Sequence, residues 1–529
     1  MAANQESFGT KRVRNDTHFS LNQENKKADE KSNGGLESFA NDTTLHGARF
    51  LCDKNIFRRV LWTLVLIGSF SYCIFQVYET LVAFSERPFI TKVSTSTTET
   101  NESFFPAVSL CNLNAFNTRR YRNALKYHQF SEPLIEKKIQ DMLVIVNKDK
   151  KAFNDEFVKR NPEFFRRQKT ANSRIVARSN LSHQIEEMLL PVSPQFHSCS
   201  VNGKKCTANN FTSHMSSEYG LCYTFNSVKS GRPLLYATLS GKNSGLRLLL
   251  NIERDSYLIT NIRPTVGLAI IIHDQKSFPF MEDFGTTVQP GISTLCAFRK
   301  RKIVNLKAPY ETNCTNRSLD MFNSDVYAYT KRACMIKCRN DYTVKRCGCT
   351  PTEFKADAPI CALNDSVLYV YSSYEEFGAS SEKESCDKNC PEPCEHVEYE
   401  TSFSYSALQP ESFVDHLMDF LKSNDTSVER AIYEPLLNMT PSERERYIEK
   451  NIISLDIYLE DLSYEIIEQT PVYETWTMIG SLGGTFGLFL GMSLLTILEF
   501  LDFIFARICH LLQGLHSGNR HTGTIHAEF

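Results

Sequence analysis

Residues 475–498 read TWTMIGSLGGTFGLFLGMSLLTIL, a run without Asp, Glu, Lys or Arg in which five glycines fall between Gly480 and Gly491. A helix rising about 1.5 Å per residue crosses ~30 Å of hydrocarbon with roughly twenty such residues. Only residues 60–78, VLWTLVLIGSFSYCIFQVY, are comparably long and uncharged. Nearly four hundred residues separate the two runs. The pattern predicts a membrane protein: a two-pass hairpin whose bulk lies on one side of the bilayer.

Orientation follows from the flanks. Arg49, Lys54, Arg58 and Arg59 precede the first run, Glu79 follows it, and Arg507 and Arg520 follow the second. Excess basic charge marks the cytoplasmic side, so both termini are expected there. No basic head and apolar stretch opens residues 1–45, so the first span is expected to act as an uncleaved signal. That segment is rich in Asn, Ser, Gly, Lys and Glu, which suits a disordered tail. The expected plan is a cytoplasmic segment 1–57, a first span 58–80, an extracellular α+β domain 81–473, a second span 474–503 and a cytoplasmic tail 504–529.

Fourteen of the seventeen cysteines lie between the spans, as an oxidising compartment allows; Cys52, Cys73 and Cys509 do not. Glycosylation acceptors Asn101, Asn180, Asn210, Asn316, Asn364, Asn424 and Asn438 fall in the same interval. Cys334 and Cys338 are four apart, as are Cys386, Cys390 and Cys394. Residues four apart share a helix face, so two antiparallel segments could be bridged in rungs, Cys334 to Cys390 and Cys338 to Cys386, leaving Cys394 for Cys314. The competing reading, a zinc site, usually needs closer spacing and a cytosolic setting; no metal or cofactor is expected.

Within the central domain, residues 246–252, 266–272 and 452–459 read as strands, the last alternating Ile453, Leu455, Ile457, Leu459. Residues 132–146, 154–167 and 410–422 have amphipathic helical spacing. Arg299-Lys300-Arg301-Lys302 is expected on an exposed strand or loop. A net charge of −2 gives no bias toward nucleic acid. No His-Glu-x-x-His, Gly-x-Ser-x-Gly or phosphate loop occurs, so the chain is not expected to be an enzyme.

On a continuous helix Gly480, Gly484, Gly487 and Gly491 share one face, and Asp502 extends that stripe. Such glycines serve helix packing. Glu499 and Asp502 at the membrane boundary add a second option, because carboxylates there are costly unless they face water or a partner. Small residues and carboxylates on one face suit a narrow path for cations. Ser493 would point away from Gly491 on a continuous helix, so an extended stretch at Gly491-Met492-Ser493 is expected, with its carbonyls turned inward at a constriction.

These residues carry a resemblance. Gly480 to Glu499, Leu45-His46-Gly47, Phe105-Pro106-Ala107-Val108-Ser109-Leu110-Cys111-Asn112 and Tyr219-Gly220-Leu221-Cys222-Tyr223-Thr224-Phe225-Asn226 resemble the degenerin and epithelial sodium channel family. The similarity is nearest to its acid-sensing members and covers about residues 45–505. It implies a trimer, homomeric or heteromeric, with wrist, palm, finger, thumb, knuckle and β-ball regions above two transmembrane helices in the plasma membrane. The implied activity is a sodium-selective, voltage-insensitive, amiloride-sensitive channel gated through its extracellular domain by protons, a peptide or another ligand. Gly491, Met492 and Ser493 match the filter segment and His46-Gly47 the cytoplasmic gating motif. Gly480 matches a gate position, and Ser481 stands where acid-sensing members carry an Asp.

The resemblance also implies pairs Cys111–Cys222, Cys199–Cys206, Cys314–Cys394, Cys334–Cys390, Cys338–Cys386 and Cys349–Cys361. Cys296 and Cys347 are left over, their pairing open. Residues 257–273 contain no Asp or Glu and read Asn261-Ile262-Arg263 where the family's finger carboxylates would stand. Glu375, Glu376, Glu382 and Glu384 form an acidic cluster, and Glu465 matches a palm carboxylate. Two other classes compete. A non-conducting two-pass receptor or adhesion protein would use the glycines for packing; an ATP-gated channel would need a basic cradle that is not evident.

Overall fold

Ile453, Leu455, Ile457 and Leu459 are buried while the residues between them are partly exposed, the two-residue period of a strand with one face on a core. The computed structural model describes residues 40, 43–97, 104–127, 131–147, 179–190, 197–216, 218–237, 239–258, 265–318, 327–350, 354, 357–359, 361, 371–422 and 432–518. The expected helix at 154–167, Asn261 to Arg263, and Asn101, Asn364 and Asn424 lie outside them. The chain divides into two units, residues 90–470 and residues 1–89 with 471–529.

The larger unit is built on two sheets. Its strands are β1 (Phe89–Thr97), β2 (Ala107–Asn112), β3 (Cys199–Val201), β4 (Lys204–Lys205), β5 (Phe211–Ser216), β6 (Gly220–Phe225) and β7 (Leu246–Asn251). They continue as β8 (Leu268–His273), β9 (Thr286–Val288), β10 (Ile292–Val304), β11 (Glu395–Ala407), β12 (Ile452–Leu459) and β13 (Ser463–Pro471). One sheet runs β1-β13-β10-β12-β7-β3-β4 with β11 on β10; the other runs β5-β6-β2-β8-β9. β2 is central in the smaller sheet and buried along its whole length. In register, Cys111 of β2 faces Cys222 of β6, and the two are bridged.

Arg299 to Lys302 lie in β10, where Arg299, Arg301 and Lys302 meet carboxylates and Lys300 lies over the Tyr464 ring at 5.1 Å. Arg299 reaches Glu460 at 2.8 Å, Arg301 reaches Glu400 at 2.6 Å and Glu465 at 2.8 Å, and Lys302 reaches Glu395 at 2.8 Å. Helices Lys331–Cys347 and Ser381–Asn389 carry the rungs Cys334–Cys390 and Cys338–Cys386. Cys314–Cys394, Cys199–Cys206 and Cys349–Cys361 complete the six bridges. Cys296 is buried in the main core, whereas Cys347 packs beside Cys349 and Cys361, so the two leftover cysteines do not pair with each other.

The smaller unit holds the apolar helices. Helix Ile56–Ser85 is long and apolar enough to cross a membrane, and most of its large side chains are exposed. The second apolar run is not one helix: Thr475–Leu490 and a second helix from Leu494 meet at a bend of 75°. A single stripe from Gly480 to Asp502 therefore does not exist, because the chain leaves helical geometry between the two halves.

Candidate functional site

The break is built from its glycine outward. Gly491 adopts φ 64°, ψ 20°, a left-handed conformation that L side chains resist, and its amide donates to Gly487 O at 3.0 Å. Met492 N donates to Phe486 O at 3.2 Å. The first bond is the αL ending of the upper half-helix, and the second reaches one carbonyl further back, so two of its last carbonyls are taken up. The expected extended stretch thus begins with a left-handed turn. The lower half-helix starts at Ser493 with a reciprocal cap: Ser493 N donates to Thr496 Oγ1 at 3.0 Å, and Thr496 N to Ser493 Oγ at 3.3 Å.

His46 sits on this break. Its amide donates to Leu490 O at 3.2 Å, and a Cβ added to Gly491 would collide with its ring. Gly47, at φ 88°, turns the chain over Trp62, whose ring a Cβ would meet at 3.1 Å. Phe50 stacks on Trp62 with centroids 4.6 Å apart, and the Arg49 and Arg58 guanidinium groups lie over Phe50 at 4.7 and 4.5 Å. Tyr72 meets Phe489 edge-on at 4.8 Å, joining the first span to the upper half-helix.

The segment ahead of His46 grips the lower half-helix. Thr44 Oγ1 lies 2.5 Å from Thr496 Oγ1. Glu499 Oε2 accepts from Thr44 N at 3.2 Å and Thr43 Oγ1 at 3.3 Å. Glu499 therefore spends its carboxylate on this segment within the chain. Asp502 stays exposed on the lower half-helix. Among the described residues, a Cβ on Gly480 or Gly484 would meet nothing within 4 Å, and one on Gly487 only Met492 O at 3.9 Å. Ser481 is exposed.

Thr43, Thr44 and Thr496 escaped the sequence reading, although Ser493 and Thr496 carry the three-residue spacing of a capping box. So did a buried ionic cluster in the larger unit. Glu253, in a left-handed conformation at φ 55°, accepts from Asn117 Nδ2 at 2.9 Å, lies 2.9 Å from His183 Nδ1 and contacts Arg119. Arg119 also reaches Glu187 at 3.0 Å. Burial pushes the Glu253 carboxyl up, but His183 and Arg119 outweigh it and hold it below the ordinary carboxylate value. Elsewhere, Glu375, Glu376, Glu382 and Glu384 are exposed, and Glu376 pairs with Arg346 at 3.0 Å.

Among the acceptor asparagines described, Asn180, Asn316 and Asn438 are exposed; Asn210 is half-buried and accepts from Thr207 N at 2.9 Å.

The profile described as "Amiloride-sensitive sodium channel" matches residues 39–503, a stretch that holds the His46 loop, the upper half-helix, the break and the start of the lower half-helix. The chain belongs to the amiloride-sensitive sodium channel family. Acid-sensing ion channel 2 of Rattus norvegicus is 30% identical over 496 residues, covering 91% of this chain and 88% of that protein. Acid-sensing ion channel 1A of Danio rerio is 29% identical over 491 residues, with coverage of 89% and 87%. Acid-sensing ion channel 1 of Gallus gallus is 28% identical over 498 residues, with coverage of 90% and 85%. A solved proton-activated chloride channel aligns at 9% identity and a TM-score of 0.31, over 86% of this chain and 98% of that one. Membership in the amiloride-sensitive sodium channel family makes the chain a cation channel rather than an enzyme.

Proposed function

We propose that three copies of this chain, or this chain with related subunits, form a sodium-selective, voltage-insensitive, amiloride-sensitive channel of the plasma membrane. Both termini are cytoplasmic and the disulfide-bridged larger unit is extracellular, where protons, a peptide or another ligand gate the pore. Ions pass along the second broken span, and Gly491-Met492-Ser493 form its constriction. The observation that carries this reading is the left-handed break at Gly491 with the His46-Gly47 loop seated on it.

Irregular backbone at membrane depth is tolerated where it lines a cavity or is buried in protein. The upper half-helix brings its partial negative end, about half a charge, to this break, which favours a cation. The lower half-helix brings a positive end to the same place, where Ser493 and Thr496 hydroxyls take up its first amides. Carbonyls left unpaired by the cap then replace part of an ion's hydration shell.

The test is patch-clamp recording of the expressed chain during steps from pH 8 to pH 4, with and without amiloride, with sodium exchanged for potassium in a parallel run. A current that reverses with the sodium gradient and shifts when Gly491 or Ser493 is substituted is expected. Surface-delivered protein that never conducts under any stimulus would return the chain to the non-conducting receptor class.

A further inference from the structure

Three residues of the smaller sheet stand in one row across three strands. His214 of β5 lies opposite Cys222 of β6, and Cys222 lies opposite Cys111 of β2. Residues paired in register project to the same face with Cβ atoms about 5 Å apart, so the row sets an imidazole beside two sulfurs. A ring nitrogen of His214 and the two sulfurs all lie within 4.8 Å of one another. Both cysteines are fully buried and pack with Leu113, Ala269 and Met281. The His214 ring has a nitrogen to spare: Nε2 is buried and, among the described residues, has no hydrogen-bond partner, a costly place for a polar atom. Burial keeps the ring neutral by pushing its pKa down to about 3, and neutral imidazole is the form that metal ions take. Imidazole and thiolate together are the donor set of zinc and cadmium, and here the disulfide withholds the two thiolates.

We propose that opening the Cys111–Cys222 bridge creates a site for a soft divalent cation of the zinc class, held by both thiolates and a His214 ring nitrogen. Metal and disulfide are alternative occupants of one position, so the redox state of the bridge decides which of them links β2 to β6. Opening takes two electrons. A phosphine attacks one sulfur, the S–S bond breaks, and water supplies the oxygen of the phosphine oxide and the two protons of the thiols. A dithiol does the same by exchange and leaves as its own cyclic disulfide. Metal binding then releases both thiol protons to solvent.

Charge selects the ion. Two thiolates and a divalent cation sum to zero, which a dry cluster accepts, whereas a monovalent ion would leave a buried negative charge. β5 is the outermost strand of its sheet, so a water can complete the tetrahedron from that edge. The same edge admits the reductant, because outer strands open at lower free energy than the middle of a sheet. The site lies within the larger unit and owes nothing to the pore.

The experiment takes the detergent-purified full chain, reduces it with a phosphine, removes the phosphine by desalting and titrates with cadmium as the probe. Remaining thiols are alkylated and counted peptide by peptide by mass spectrometry. Cys111 and Cys222 should be protected together, at lower cadmium than the other reduced pairs, while the unreduced chain gains no thiolate-to-cadmium absorption. His214→Phe fills the place of the ring without a donor and should move protection of this pair to about tenfold higher cadmium, leaving the other pairs where they were. Protection no tighter than that of the other pairs, or unchanged in His214→Phe, would overturn the proposal. Should His214→Phe not fold, cadmium NMR of the unsubstituted reduced chain at one equivalent decides. A resonance showing two sulfurs and a nitrogen is expected, and one without nitrogen ligation would overturn the site.

Discussion

Gly491 and Gly483 sit eight residues apart in one apolar run and face opposite physical demands. At Gly491 the backbone is left-handed and the His46 ring occupies the place of a Cβ, so Gly491→Ala meets a conformational cost of about 1 kcal/mol and a steric one besides. Gly483 is mid-helix with open space around its Cα, so within one subunit Gly483→Ala should stabilise by about 0.5–1 kcal/mol. Thermal melts of the detergent-purified chain are expected to move in opposite directions for the two variants. Glu253 offers a second residue-scale test. Its folded pKa is depressed, so its stabilisation is complete above the unfolded carboxyl value near 4.3 and is lost as pH falls through the folded one. Glu253→Gln leaves Arg119 and His183 without their carboxylate and should cost about 3–5 kcal/mol at pH 7. The variant's melting temperature should then depend less on pH below about 4.5; an equally steep acid dependence would place the titrating group elsewhere.

Strand β5 carries His214 and strand β8 carries His273, and burial pushes their pKa values down to about 3 and about 4. Lys229 and His273 add to the His214 shift, and His273 holds its place through Ser109 Oγ at 2.8 Å. An unfolded histidine takes up its proton near pH 6.5, so stability from these neutral rings is present above that pH and is lost as pH falls toward 4. Among the described residues His214 Nε2 has no hydrogen-bond partner, and its ring packs edge-on against Phe278 at 5.6 Å. His214→Phe should therefore hold or raise stability at pH 7 and flatten the loss between pH 6.5 and 4, as followed by melting temperature; a steeper loss would refute the assignment. Elements of this kind were only partly readable in the chain. The alternation in β12 and the four-residue cysteine spacing are local patterns, and both appear as read. The long antiparallel pairing of β10 with β11, which places Arg301 opposite Glu398 and beside Glu400, joins residues about a hundred apart and has no local signature. Glu253 escaped for the same reason: its partners come from residues 117–119 and 183, and nothing near 253 announces them. At the break, Gly491 and Ser493 announced an interruption, but not that threonines ahead of the first span would fasten it.

For the whole molecule, the informative fact is what the glycines of the upper half-helix do not touch. Among the described residues, a Cβ on Gly480, Gly483 or Gly484 meets no atom within 4 Å, so none of those residues requires side chains this small. Glycine in a helix interior costs about 1 kcal/mol relative to alanine, and several in one half-helix are a standing expense without an internal return. In the proposed channel, packing against other subunits around a narrow water path would supply the missing reason, since small residues let helix backbones approach closely. Gly484→Leu separates the two levels. In one subunit the new side chain enters open space on a well-formed helix, so melting temperature and surface delivery should be unchanged or slightly raised. In the proposed trimer three leucines would converge on the axis, and sodium current should fall at least tenfold, with the residual conductance blocked or rectified by the narrowed path. Recording whole-cell current beside surface biotinylation distinguishes the cases. Full current at full delivery would mean that this face looks at lipid, and the route for ions would then have to be sought on another face of the broken span.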